Sequence, residues 1–286
     1  MRVSRRAVLR AVAGGGAAGA GAVALDGLVI TPNRLDVSRH VIGSGGYGPA
    51  DPATAARGDV RVAHVSDLHL RAIGAREEAV LGALADLAPD VIAITGDSLD
   101  APAGAGPLGE FLAACPPAAA RLAILGNWEY KAGMADDRLR RLHERHGFEL
   151  LVDRSVVLRL HGHDVRVTGL DDLCHGSPDA VAALGAAEPG PAHLILAHCP
   201  ATRDTLRLPP GHAADAILSG HTHGGQVSPA GVCLLTPYGS GRYVAGWYAG
   251  AAAPMFVSRG IGTSLLPVRL GAAPELAVID WRLGRG

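Results

Sequence analysis

The feature that most constrains this chain is an alternation of two kinds of apolar pattern, beginning at residue 59. VRVAHVS (60–66) reads as a strand and AREEAVLGALADLA (75–88) has helical spacing. DVIAIT (90–95) is a second strand, followed by a Gly/Pro-rich turn and a short helix near 108–114. RLAILG (121–126) is a third, and residues 135–146 form a charged amphipathic helix. SVVLRL and DVRVTG make a hairpin about Gly162, PDAVAALGAA (178–187) is helical, and HLILAH (193–198) and DAILSG (215–220) are buried strands. The remainder is Gly-rich and strand-like, closing on ELAVIDW (275–281). Strands that are apolar throughout need cover on both faces, so the pattern predicts an α/β fold with helices over a largely buried sheet.

The segment 26–58 is rich in Gly, Pro, Ser and Asp without sustained periodicity, and reads as a linker or lead-in. Before it, SRRAVLR places Arg5 and Arg6 ahead of a weakly apolar stretch, 11–24, with no acid before Asp26. This resembles a twin-arginine export signal over residues 1–25, with AVA (22–24) as a cleavage site, and implies contact with the twin-arginine translocation machinery. It places the protein outside the cytoplasm, with an association with membrane or cell wall. The stretch 11–24 is too short and too glycine-rich for a good membrane-spanning helix. The 286 residues suit one domain plus a tail, here 59–286. A net charge of −1 gives no basic surface for nucleic acid. Four cysteines without CxxC spacing indicate neither a zinc ribbon nor a disulfide framework, and read as small buried apolar residues.

Polar residues recur at one kind of place, the carboxyl ends of the predicted strands: SDLH, GDS, GNWE, AHCP and SGHTHGG. Loops there are where α/β folds build sites. Carboxylate, imidazole and carboxamide are ligands for hard-to-borderline metals. Asp67 and His69 are two residues apart, as are His221 and His223, so each pair shares a face of an extended segment. Singly these signals are weak; five in order are not. The order Asp-x-His, Gly-Asp, Gly-Asn, His, Gly-His-x-His resembles the calcineurin-like metallophosphoesterases. GHTHGGQ with the closing PELAVIDW is similar to exported or membrane-associated bacterial members, and the resemblance covers about 59–281.

That resemblance implies a two-sheet αββα sandwich, one catalytic domain and two divalent metal ions, with Mn, Fe and Zn equally suited. Carried over, Asp67, His69 and His223 hold one metal, Asn127, His198 and His221 the other, and Asp97 bridges them. A water bridging the cations, about 3.5–4 Å apart, would lose a proton and attack a phosphomonoester or phosphodiester, such as an envelope or phospholipid component. Asp97, Asn127 and His198 would thereby be catalytic. The family pattern has histidine after the asparagine, thought to protonate the leaving oxygen, and here the residue is Trp128, whose indole N–H cannot act as a general acid. Glu129, His64 or a metal-bound water is expected to deliver the proton instead, unless the leaving group needs little protonation. Trp128 would stack on substrate, Gln226 would touch it, and Arg259 would contact its phosphate. Two other functions stay open: a pyrophosphohydrolase of the UDP-2,3-diacylglucosamine type, whose cytoplasmic substrate pool fits poorly with export, and a metal-binding protein with little turnover.

Overall fold

The computed structural model describes residues 21–51, 56–185, 187–190, 192–250 and 253–284. The paired arginines Arg5 and Arg6 lie outside the described residues.

Among the described residues, thirteen strands form two sheets. They are β1 (Asp36–Gly43), β2 (Gly48–Pro49), β3 (Val60–Val65), β4 (Val91–Thr95), β5 (Ala120–Ile124), β6 (Glu149–Leu150), β7 (Arg154–Leu160), β8 (His163–Gly169), β9 (Ala192–Leu196), β10 (Ala216–Ser219), β11 (Gly246–Tyr248), β12 (Met255–Val257) and β13 (Glu275–Arg282). One sheet has the order β2-β1-β13-β3-β4-β5-β6, the other β11-β12-β10-β9-β8-β7. The helices α1 (Ala75–Leu87), α2 (Ala105–Ala114), α3 (Asn127–Lys131), α4 (Asp137–Arg145), α5 (Ala180–Leu184) and α6 (Thr202–Thr205) lie between strands.

The alternation of side chains along each strand sorts the core into layers. On β4, Val91 and Ala93 pack between the sheets with Leu194, Leu218 and Phe256. Its neighbours Ile92 and Ile94 turn outward against Val80, Leu84, Phe111 and Leu139 of the helices. The outer face of the second sheet, through Ile195, Ile217 and Met255, packs against Ala180, Ala183 and Leu206. The result is the expected helix–sheet–sheet–helix sandwich. Trp281 is buried between the sheets, and its indole N–H donates to Asp215 Oδ2 at 3.0 Å, joining β13 to the loop before β10.

One boundary is corrected. Within 26–58, residues 26–49 are part of the fold and not a linker. β1 runs parallel to β13 from Asp36↔Glu275 to Gly43↔Arg282, and so belongs to the larger sheet. Upstream of it, residues 21–33 are helical, and the Gly27 carbonyl accepts the Arg269 N–H at 2.9 Å. No helix among the described residues is long and apolar enough to cross a membrane.

Candidate metal centre

The predicted donors all stand just past strand ends: Asp67 and His69 after β3, Asp97 after β4, Asn127 after β5, His198 after β9, His221 and His223 after β10. Every one is at most 4% exposed. The structure brings all seven together. His69 Nε2 lies 3.0 Å from His223 Nε2, which lies 3.5 Å from Asp67 Oδ1. His198 Nε2 lies 3.1 Å from His221 Nδ1 and 3.2 Å from Asn127 Oδ1. Asp97 stands between the two groups, with Oδ2 3.6 Å from His69 Nε2 and 3.3 Å from His198 Nε2. In each of the trios Asp67–His69–His223 and Asp97–His198–His221, the donor atoms lie within 4.8 Å of one another.

The far side of each ring is also held. His198 Nδ1 is paired with the Thr95 carbonyl at 2.8 Å, His221 Nε2 with the Tyr238 carbonyl at 2.7 Å, and His69 Nδ1 with Asp100. Such outer partners fix the tautomer, so the opposite nitrogen of each ring presents a lone pair to the centre. Behind His223, the buried guanidinium of Arg269 lies 3.2 Å from Nδ1 and donates to the carbonyls of Arg259, Gly260, Gly262 and Ala272. Lone pairs from neutral imidazoles, two carboxylates and a carboxamide make a donor set that fits divalent cations of the Mn, Fe or Zn kind.

Backbone conformation gives a second, independent mark. Asp67, His69, Asp97, His221 and His223 have φ of 54°, 46°, 52°, 73° and 53°. Left-handed conformation in non-glycine residues costs on the order of 1–3 kcal/mol each and gathers at functional sites. Two glycines allow the approach: a Cβ on Gly126 would strike Asp97 and His198, and one on Gly220 would strike Ser66 and Asp67.

Asp97, Asn127, His221 and His223 line a pocket of about 610 Å³. Trp128 lines it, its ring edge-on to His69 at 6.0 Å. Lys131, the chain's single lysine, lines it too, with Nζ 4.7 Å from the centre of the Trp128 ring. Sequence reasoning missed Lys131. Its position follows from α3 beginning at Asn127, because residues three and four apart share a helix face.

Three expectations are corrected. Glu129 does not face the pocket. It is 1% exposed, and its carboxylate accepts the backbone N–H groups of Asp97 (3.1 Å), Ser98 (2.5 Å) and Gly126 (2.9 Å). Burial and the Asp97 charge push its pKa up to about 7 against those hydrogen bonds. It ties the β4 and β5 loops together and has no free oxygen for a leaving group. Arg259 does not line the pocket, and its guanidinium is paired with Asp36 and with Glu275 at 3.3 Å. His64 is buried in the sheet against Thr95 at 2.8 Å, and burial lowers its pKa to about 3. Gln226 lines the pocket, but its amide is engaged with Ser264 and Leu266, where it braces the rim loop.

A family model described as calcineurin-like phosphoesterase matches residues 60–225. YkoQ, an uncharacterized metallophosphoesterase of Bacillus subtilis, is 30% identical over 228 residues, which are 77% of this chain and 83% of YkoQ. YkuE, another from the same organism, is 28% identical over 97% of each chain. The phosphodiesterase YaeI of Escherichia coli is 29% identical over 196 residues, 67% of this chain and 70% of its own. With the family model covering all seven donors, this chain belongs to the calcineurin-like phosphoesterases and is a metal-dependent phosphoester hydrolase.

Proposed function

We propose that the protein is an exported phosphoesterase with two divalent cations, acting on a phosphomonoester or phosphodiester. One cation would sit on Asp67, His69 and His223, the other on Asn127, His198 and His221, with Asp97 shared. The observation that carries this reading is the position of Asp97, within 3.6 Å of a histidine from each group. When bound, such cations supply Lewis-acid charge for an attacking water and for the phosphoryl oxygens. Asn127 contributes a neutral oxygen, which keeps negative charge at the centre low. Trp128 N–H, on the backbone, donates to Asp97 Oδ1 at 2.8 Å and holds that carboxylate in register.

With tryptophan where the family has histidine, Lys131 is the one titratable side chain lining the pocket outside the donor set, among the described residues. Its ammonium, steadied over the indole, offsets charge on the departing oxygen. The printed activity of YaeI, a phosphodiesterase, supports diesters as the first class to try. Export rests on the twin arginines.

The test is a hydrolysis screen of metal-loaded protein over mono-, di- and pyrophosphate esters, with Mn²⁺, Fe²⁺ and Zn²⁺. Turnover of at least one class, abolished by Asp97→Asn, is expected. Bound metal without turnover of any activated ester would overturn the catalytic reading. Replacing Arg5 and Arg6 by Lys should leave the protein inside the cell; unchanged export would remove that part.

A further inference from the structure

Away from the donors the pocket is lined mainly by apolar side chains, Val227, Leu234, Leu235, Leu265, Leu266 and Val268, with Gln226, Thr236 and Ser264 among them. Several of these side chains point to solvent: Leu235 is 83% exposed, Leu265 78% and Leu266 64%. Single exposed leucines are ordinary, but a contiguous set at the mouth of a site is not. The apolar surface continues beyond the pocket. Val227, Leu266 and Val268 also line a neighbouring groove whose other side is Val23, Gly27 and Leu28 of the N-terminal helical segment. On that segment Leu25, Leu28 and Val29 are each more than half exposed. The helical segment that carries Val23, Gly27 and Leu28 therefore lies at this rim.

From this continuity we infer that the mouth of the metal pocket docks on a lipid bilayer, and that the substrate is a phosphate ester of a membrane lipid. Leucines from the two rim loops and from the N-terminal segment enter the interface together, which favours attachment by the apolar area they withdraw from water. The lipid phosphate reaches the donors while its hydrocarbon lies along Leu234, Leu235, Leu265 and Leu266. The chemistry rests on the phosphoesterase reading: a water oxygen forms the new P–O bond as the bond to the leaving oxygen breaks, and a proton from that water ends on the leaving oxygen. A diester plus water thus gives a monoester and an alcohol.

The test uses the full metal-loaded chain and vesicles of phosphatidylcholine and phosphatidylglycerol in equal parts. The parent protein should sediment with the vesicles. The double variant Leu235→Asp/Leu265→Asp changes two side chains that face water, so it should fold as the parent does. It should lose vesicle partitioning by on the order of a hundredfold, and the ratio of lipid to bis-p-nitrophenyl phosphate turnover should fall similarly. Circular dichroism and metal content verify its fold. Three results would overturn the docking surface. Failure of the parent to sediment is one. Undiminished sedimentation of the double variant is another, giving membrane contact to the residues before Gly21 alone. A concentration-dependent dimer of the parent, abolished by the same substitutions and without vesicle binding, would give the surface to a second copy. Hydrolysis of bis-p-nitrophenyl phosphate but of neither phosphatidylglycerol nor phosphatidic acid would overturn the lipid substrate. Absence of all turnover would instead sink the phosphoesterase reading, while sedimentation still decides the docking surface.

Discussion

Replacing Glu129 separates a proton donor from a structural clamp. Its carboxylate takes three backbone N–H groups, two on Oε2 and one on Oε1. In Glu129→Gln the amide oxygen can keep the pair from Asp97 and Gly126. The new NH₂ then faces the Ser98 N–H, so one hydrogen bond is lost and two donors oppose each other. A hydrogen bond to a charged group is worth roughly 1.5–3 kcal/mol, and an orphaned buried donor costs about 1–3 more. Against this, the cost of holding a charge in burial beside Asp97, which lifts the pKa of Glu129 to about 7, disappears. The net expectation is a loss of about 2 kcal/mol for Gln, and about 4–6 kcal/mol for Glu129→Ala, which orphans all three donors and leaves a cavity. Urea unfolding of the metal-free protein measures this directly. Because the clamped amides belong to the loops that carry Asp97 and Asn127, metal affinity should fall as well, and turnover should fall equally for good and poor leaving groups. A variant with parental stability, whose activity drops selectively on poor leaving groups, would show that the carboxyl delivers protons and would refute the clamp.

Four other outcomes are expected. Trp128→His, which restores the family's acid, should raise turnover of poor leaving groups by about tenfold or more relative to p-nitrophenolate; a uniform change would detach this position from proton delivery. Lys131→Met should lower kcat by roughly 10- to 100-fold with bound metal unchanged, and Lys131→Arg should recover part of it; a fully active Met variant would leave Lys131 no role. Asp100→Asn removes the carboxylate beside His69 and should weaken metal binding about 10- to 100-fold by titration calorimetry; parental affinity would refute the role of that pair. The protein should also be acid-labile. Burial pushes His40, His143 and His193 down to about 4 and His64 to about 3. The unfolded chain takes up these protons first as pH falls below about 6.5, so stability declines from there toward pH 4, by roughly 2 kcal/mol per histidine near pH 5. A flat stability profile of the chelated protein between about pH 7 and 5 would contradict this.

The strand ends were legible because the runs before them are apolar on both faces, so the first polar residue marks where the chain leaves the core. β4 shows this, with Val91 to Thr95 entirely buried and Asp97 two residues on. β1 was not legible. Its burial is partial, only His40 and Ile42 being fully covered, and its partner β13 lies more than two hundred residues away. The same distance hid the fate of Arg259, whose pairing with Asp36 depends on β1 being a strand. Glu129 was misread because its direction depends on where α3 begins: at the third helical position a glutamate turns back to the preceding amides rather than out to a ligand. Lys131 was visible as a solitary lysine, but its pocket position needs the same helix start.

Placing β13 between β1 and β3 has a consequence for how the molecule comes together. Residues 275–282 fill the middle of the larger sheet, parallel to one neighbour and antiparallel to the other. Until that segment is available, β1 has no partner on its inner edge and β3 presents an open flank. The layer can close only after nearly all of the described sequence has been synthesised, and the sequence separation of these pairings makes closure slow. A ribosome-bound intermediate would be a half-zipped sheet with its apolar seam uncovered, the state in which a holdase has most to shield.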